Sequence, residues 1–306
     1  MALPAVRALA EALPQRRIDV YVGDHARLAF ELSGLDVHIL SVPPTFDLAR
    51  AMRLRYRLKR QYYESIVILD RSRWLRLAAS RAAPQVVAAR SQQPERRHES
   101  VVYLDVVRAT GVDALPAPPK IVPPDALHST IAAPYTILHP GGGQNPGAFL
   151  PRKRWDPTRW IEVARALVAQ GFAVFLTGNA EEAPIAERIA DSVGANTTSI
   201  AGKLTLRESA ELICGARLFV GPDTGLAHIA AAAGIPTVAI FGPTNPNRYR
   251  PLGSAVRICA PPASWELTDR DLRRHTDVPS ECDIMHVHVD EVLAAVADLL
   301  GEHPCG

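Results

Sequence analysis

Cysteine is scarce in this chain of 306 residues: there are four, Cys214, Cys259, Cys282 and Cys305, and they stand far apart. With no CxxC pair and no Cys/His ligand spacing, neither a zinc site nor a disulfide framework is expected, and a reducing, cytoplasmic setting follows by default. A surplus of charge is missing too. Lys and Arg number 34 against 32 Asp and Glu, a net +2, so charge does not argue for a nucleic-acid partner. No apolar run approaches the roughly 20 residues that span a bilayer. The opening MALPAVRALAEALPQRR reads as an amphipathic helix and lacks the basic start and long apolar core of a signal peptide. Several motifs are absent as well. No GK[ST] follows a glycine loop, and neither half offers GxGxxG, which disfavours a dinucleotide oxidoreductase. There is no internal repeat and no low-complexity tract.

What is present is 47% hydrophobic residues, enough for two cores of ordinary size. Apolar strands alternate with helical patterns along the whole chain, which predicts parallel sheets covered on both faces. Residues 1–115 carry helices near 3–13, 25–32, 46–63, 74–81 and 99–110, with strands near 18–22, 37–42, 65–69 and 86–87. Arg50, Arg53, Arg55, Arg57, Lys59 and Arg60 crowd the third helix, which reads as either a solvated face or an anion-facing one. Residues 116–134 are rich in proline and read as an interdomain linker. The alternation restarts over 135–306, with strands at 135–138, 172–177, 197–200, 218–220, 237–241 and 255–259. Helices are expected at 157–169, 182–193, 206–215, 226–233 and 289–300.

The most informative stretch is RLFVGPDTGLAHIAAAAGIPTVAIFGPTNPNRYRP, residues 217–251. The strand is expected to end at Gly221, with Pro222 breaking it. Asp223, Thr224 and Gly225 then form a turn that opens a helix ended by Gly234. Unpaired N–H groups and the positive end of the helix dipole at such a turn favour an anion. Gly225 would admit a ligand close to the backbone, and His228 points back toward the same end. An ordinary N-cap is the competing reading. Upstream, His139-Pro140-Gly141-Gly142-Gly143 follows a strand, and its glycine amides could wrap an oxyanion. Lys153, in Arg152-Lys153-Arg154-Trp155, reads as a cation in a polar loop. TGNAEE, residues 177–182, ends a strand at the edge where α/β sheets bind ligands. Glu182 and Glu181 both compete there for a binding role or a first-turn helix role.

The string PDTGLAHIAAAAGIPTVAIFGPT resembles the signature of family 9 glycosyltransferases, the ADP-heptose:lipopolysaccharide heptosyltransferase group. The likeness extends to HPGGG, to Lys153-Arg154-Trp155 at the family's KxW, to AGKLTLRESAELICGA and to ALPAVRALAEALPQRRIDVYVG. It is strongest over 135–251. It implies an α/β GT-B fold, two Rossmann-like domains with parallel sheets facing a cleft, with the last helix able to cross back to the first domain. It implies a donor site of Gly141, Gly142, Lys153, Glu182, Leu204, Asp223, Thr224, Gly225 and His228. In this scheme Lys153 offsets the leaving diphosphate, Glu182 meets the ribose hydroxyls, and the backbone near Leu204 meets the base.

The activity implied is inverting transfer of a heptose-like sugar from a nucleotide-diphosphate donor, expected to be ADP-linked, to a lipopolysaccharide- or saccharide-type acceptor, with no separate cofactor and no metal. The setting implied is cytoplasmic, with peripheral contact at the inner membrane. The family carries its base in a Gly-Asp loop ahead of the first helix, and Met1 stands inside that motif, so no residue takes the base's role by position. Two alternatives remain open: a nucleotide-sugar-binding protein of impaired activity, and a nucleotide-sugar epimerase on the same architecture.

Overall fold

A computed structural model of the chain describes residues 1–89, 97–122, 131, 134–142, 144–145, 148–149, 151–268 and 278–302. Gly143, the linker residues 123–130 and 132–133, part of the QNPGAFLPR stretch, and Cys305 lie outside the described residues. The chain divides into two compact units, Met1–Pro119 and Lys120–Gly306. The division falls inside the proline-rich stretch.

The first unit contains α1 (Leu3–Ala12), β1 (Asp19–Gly23), α2 (Asp24–Glu31), β2 (His38–Val42), α3 (Leu48–Arg60), β3 (Ser65–Ile68), α4 (Arg73–Ala79), β4 (Gln85–Ala88) and α5 (Glu99–Arg108). Its strands pair in parallel as β1 with β2 and β3 with β4. Among the described residues they form two separate two-stranded ribbons, not the single covered sheet expected from the sequence. Their burial explains the difference: every residue of β1 is half-buried, and His38 and Ser41 of β2 are exposed. β1 and β2 are therefore not the twice-buried kind that a doubly covered parallel sheet requires, whereas Ile66 and Ile68 of β3 join the cluster of α3 and α4 and Val67 joins that of α1 and α5. Helices supply the rest of the apolar contacts. Ala51, Leu54 and Leu58 of α3 pack with Ala78 and Ala79 of α4, and Ala5 and Ala8 of α1 pack with Leu104 and Val107 of α5.

The second unit is built on one six-stranded sheet. Its strands are β5 (Tyr135–Leu138), β8 (Ala173–Leu176), β9 (Thr197–Ser199), β10 (Leu218–Pro222), β11 (Thr237–Ile240) and β12 (Val256–Cys259). A two-residue antiparallel pair, β6 (Gln144–Asn145) with β7 (Ala148–Phe149), lies in the loop after β5. The helices are α6 (Pro157–Ala169), α7 (Ala183–Val193), α8 (Leu206–Cys214), α9 (Gly225–Ala232), α10 (Pro246–Tyr249) and α11 (Val289–Glu302). Spatial order is β12-β11-β10-β5-β8-β9, with every pair parallel. The chain moves outward from β5 through β8 to β9, then crosses back to β10 and runs outward the other way. The direction reverses between β5 and β10, and the carboxyl ends of those two strands are the switch point where open α/β sheets bind ligands.

The strands are runs of Val, Ile, Leu, Phe and Ala because helices cover both faces. Tyr135–Leu138 and Thr237–Ile240 are buried throughout. On one side, Trp160, Val163 and Leu167 of α6 join Val292, Val296 and Leu299 of α11 in the largest apolar cluster. On the other, Leu212 and Ile213 of α8 and Ala227 and Ala230 of α9 close on Ile137 and Phe219.

Pro222 does not break β10. The strand runs through it, paired to Ile240 of β11. On the other flank β5 reaches only Val220, so at Pro222 the strand is an edge on that side, where the missing N–H leaves no ladder bond unmade. Gly234 ends α9 as expected. It takes φ +81, and Gly234 N–H and Ile235 N–H donate to Ala231 and Ala230, the paired bonds of a Schellman ending.

Candidate functional site

The site grows from the two loops at the switch point. After β5 the chain passes His139 and Pro140 to Gly141 and Gly142. Gly142 takes φ +109, and a Cβ on it would lie 2.9 Å from the Pro222 ring. A Cβ on Gly141 would lie 2.2 Å from the carboxyl carbon of Glu182. The loop is therefore glycine because Glu182 and β10 crowd it.

Glu182 stands at the N-cap of α7. Its carboxylate accepts from the Gly142 N–H at 2.6 Å and from the Asn179 N–H at 2.9 Å, and lies 3.4 Å from His139 Nε2 and 3.8 Å from an Arg154 nitrogen. Burial pushes the carboxyl up. The bond and charge of His139, followed by the two backbone donors, more than offset this and hold it down to about 2. Glu182 itself thus occupies the Gly142 amide that the sequence reading left open for an oxyanion. That amide is engaged, because a buried carboxylate needs donors more than a surface turn does.

After β10, Asp223 and Thr224 lead into α9. Asp223 Oδ2 accepts from Lys153 Nζ at 2.8 Å and from Thr244 Oγ1 at 3.0 Å, and His228 Nε2 stands 3.8 Å from Oδ1. Burial raises the Asp223 carboxyl, but the Lys153 charge and then His228 bring it well below the usual carboxylate range. Lys153 is not in a polar surface loop. Its side chain is 8% exposed and paired with a carboxylate that is 11% exposed. The cause is its neighbour: Trp155 is 1% exposed, donates its indole N–H to Val287 at 3.0 Å, and meets Trp160 edge to face at 5.3 Å. Anchoring Trp155 in the core draws Lys153 and Arg154 inward.

The two networks join. Thr224 Oγ1 lies 3.3 Å from His139 Nδ1, and Arg154 Nε donates to the Gly142 carbonyl at 3.0 Å. Thr224 makes no side-chain cap to α9, so its hydroxyl leaves the first-turn amides of that helix to other acceptors. Gly225 is exposed, and a Cβ there would meet nothing within 4 Å. The arrangement presents an open helix terminus bordered by Lys153, Arg154, His139 and His228.

Residues 128–275 match the family model of glycosyltransferase family 9 (heptosyltransferase). Lipooligosaccharide heptosyltransferase 2 of Haemophilus influenzae is 38% identical over 118 residues, 37% of this chain and 34% of that protein. Lipopolysaccharide heptosyltransferase 3 of Escherichia coli is 31% identical over 211 residues, 66% of this chain and 60% of that protein. Over these residues the chain resembles the family 9 heptosyltransferases. The aligned segment spans about a third of the length of several curated relatives, 34% and 30% in two of them. The solved structure of E. coli ADP-heptose lps heptosyltransferase II superposes with TM-score 0.78 at 20% identity, over 99% of this chain and 95% of that one. E. coli heptosyltransferase WaaC with ADP gives 0.73 at 17%, over 97% and 95%. These likenesses show the fold, α/β of the GT-B class.

Within this heptosyltransferase-like chain, Gly141, Gly142 and Glu182 form one network, and Lys153, Asp223 and His228 the other, with Thr224 between them. Gly225 opens the helix beside them. Leu204 stands apart, in the turn between β9 and α8, half-buried against the Ile137 and Phe219 cluster. Sequence reasoning did not single out His139, Arg154, Asn179 or Thr244. All four lay inside quoted motifs; Arg154 adjoins Lys153, and His139 lies two residues before Gly141. Thr244 follows β11, and only the sheet order brings it to Asp223.

Proposed function

We propose that this protein transfers a heptose-like sugar from a nucleotide-diphosphate donor, ADP-linked, to a lipopolysaccharide- or saccharide-type acceptor, with inversion at the anomeric carbon. The observation that carries the reading is the open start of α9 at the strand switch point, bordered by the buried Lys153–Asp223 pair and by Arg154. The relatives named heptosyltransferases support it. The donor's pyrophosphate meets the first-turn amides of α9, where the dipole favours anions. Asp223 cannot attract phosphate by charge, and it faces sugar hydroxyls. The acceptor oxygen forms the new bond to the anomeric carbon as the bond to the diphosphate breaks. Charge then develops on the leaving oxygen, and Arg154 and the helix terminus stabilise it, with Lys153 partly neutralised by Asp223.

The acceptor proton needs a base, and neither Glu182 nor Asp223 suits that role. Both are held ionised by their partners, and a base works best with a pKa near the operating pH. We therefore assign the proton to a group outside these two networks.

Peripheral contact with an anionic membrane belongs to the same reading. α3 exposes Leu48 and Met52 beside Arg53 and Lys59, the mixture that suits an interfacial helix. No helix among the described residues is long and apolar enough to cross a membrane.

The test is release of ADP from ADP-heptose by the purified chain, with and without a lipopolysaccharide-core acceptor. Acceptor-dependent release supports transfer. Tight ADP-heptose binding without release under any acceptor would favour a binding protein.

A further inference from the structure

The first unit holds a pocket that the transfer reading does not use. It has a volume of about 420 Å³, within the roughly 300–1,000 Å³ of small-molecule sites. Arg17, Asp19, His38, Tyr56, Arg57 and Arg60 line it. Asp19 and His38 begin β1 and β2, and Tyr56 to Arg60 lie in the last turns of α3. Tyr21 and Leu40 continue the lining, so the pocket runs from the amino ends of β1 and β2 to the middle of the strands. Ligand sites of open α/β sheets lie at the carboxyl ends, so sheet logic assigns nothing to this place.

Its floor is fixed. The Asp19 side chain is 3% exposed. It accepts from Arg17 Nε at 2.7 Å and from the Tyr63 hydroxyl, and lies 3.2 Å from His38 Nδ1. Arg17 also reaches His38 at 2.9 Å, which ties the two strand starts together. Three guanidiniums face the space against one carboxylate, and that carboxylate is already committed to three partners. Arg60 donates to the Tyr56 hydroxyl at 3.1 Å and sits 5.6 Å from the centre of its ring, while Arg57 is exposed on the rim. α3 contains no acidic residue to answer these charges.

We propose that this pocket binds a phosphomonoester of sugar size. Planar guanidinium forks grip phosphate in bidentate fashion. The positive excess matches a dianion better than a single carboxylate. Tyr56, 62% exposed, offers a ring edge beside the phosphate, and Gln61 on the same wall offers an amide to hydroxyls.

The experiment titrates the full chain with glucose 6-phosphate, inorganic phosphate and glucuronate by calorimetry. Two double variants keep it interpretable, each removing two positive charges from α3. Arg57→Ala with Arg60→Ala strips the pocket. Arg53→Ala with Lys59→Ala alters the same helix outside it, and all four positions are exposed. The expected result is glucose 6-phosphate binding ahead of glucuronate. It should weaken roughly tenfold or more in the first variant, as loss of charge-assisted bonds predicts, and stay within about twofold in the second. Equal weakening in both variants would mean a diffuse positive field, and equal binding of glucuronate would remove the phosphate assignment. Absence of glucose 6-phosphate binding, with anionic vesicles captured through Arg57 and Arg60 instead, would make this a lipid-facing surface and overturn the proposal.

Discussion

Lys153 illustrates how far a residue's meaning depends on its surroundings. Read in sequence it is a loop cation whose loss should change stability by under about 0.5 kcal/mol. In the fold it neutralises Asp223 in a dry setting. Lys153→Ala should therefore cost roughly 3–5 kcal/mol, because it strands a buried carboxylate. Urea denaturation checks this, and Lys153→Ala with Asp223→Ala together should cost less than the sum of the two. Acid should act on the same groups. Glu182 and Asp223 have folded pKa values below their unfolded ones, so the stability they contribute is present above the unfolded values. It is lost as pH falls, between about 4.5 and about 2 for Glu182. Unfolding free energy measured from pH 6 downward should drop across that window, and Glu182→Gln should flatten the drop.

At the scale of elements, most of the second unit was legible. The helix at 157–169, the terminal helix read as 289–300 and found as 289–302, and the strand at 135–138 follow from periodicity and from Pro and Gly punctuation. The end of β10 was not legible, since whether Pro222 breaks a strand depends on which neighbour reaches that far. The ribbons of the first unit were not legible either, because an apolar run does not announce which strands it will pair with. Of the site, the Gly225–His228 helix start could be read locally. The Glu182 contact with Gly142 joins residues 40 apart in sequence and could not. Two elements invite direct tests. Thr205 and Glu208 form a reciprocal capping box on α8, so Thr205→Ala should cost about 1 kcal/mol in denaturant titrations. Charge reversal at Arg53 and Lys59 of α3 should lower co-sedimentation with anionic vesicles and leave neutral vesicles unaffected.

For the whole molecule, a two-unit α/β chain with a Rossmann-type strand order carries function in its sites, not in its fold. The second unit brings Lys153, Asp223, His139 and Glu182 together at one strand switch point. Burial of charged side chains is costly unless they are paired, so a cluster of this kind marks a working site more than a structural one.

The central claim is that the donor's pyrophosphate sits at the start of α9. Calorimetric titration of ADP-heptose into wild type, Gly225→Val and His228→Ala tests it most directly, with circular dichroism establishing that all three are folded. A Cβ at Gly225 meets no protein atom within 4 Å, so valine there should leave the fold intact and obstruct only a ligand. The account predicts binding by wild type, no measurable binding by Gly225→Val, and weakening by roughly tenfold in His228→Ala. Wild-type affinity in both variants would contradict it and reduce the turn to a helix cap.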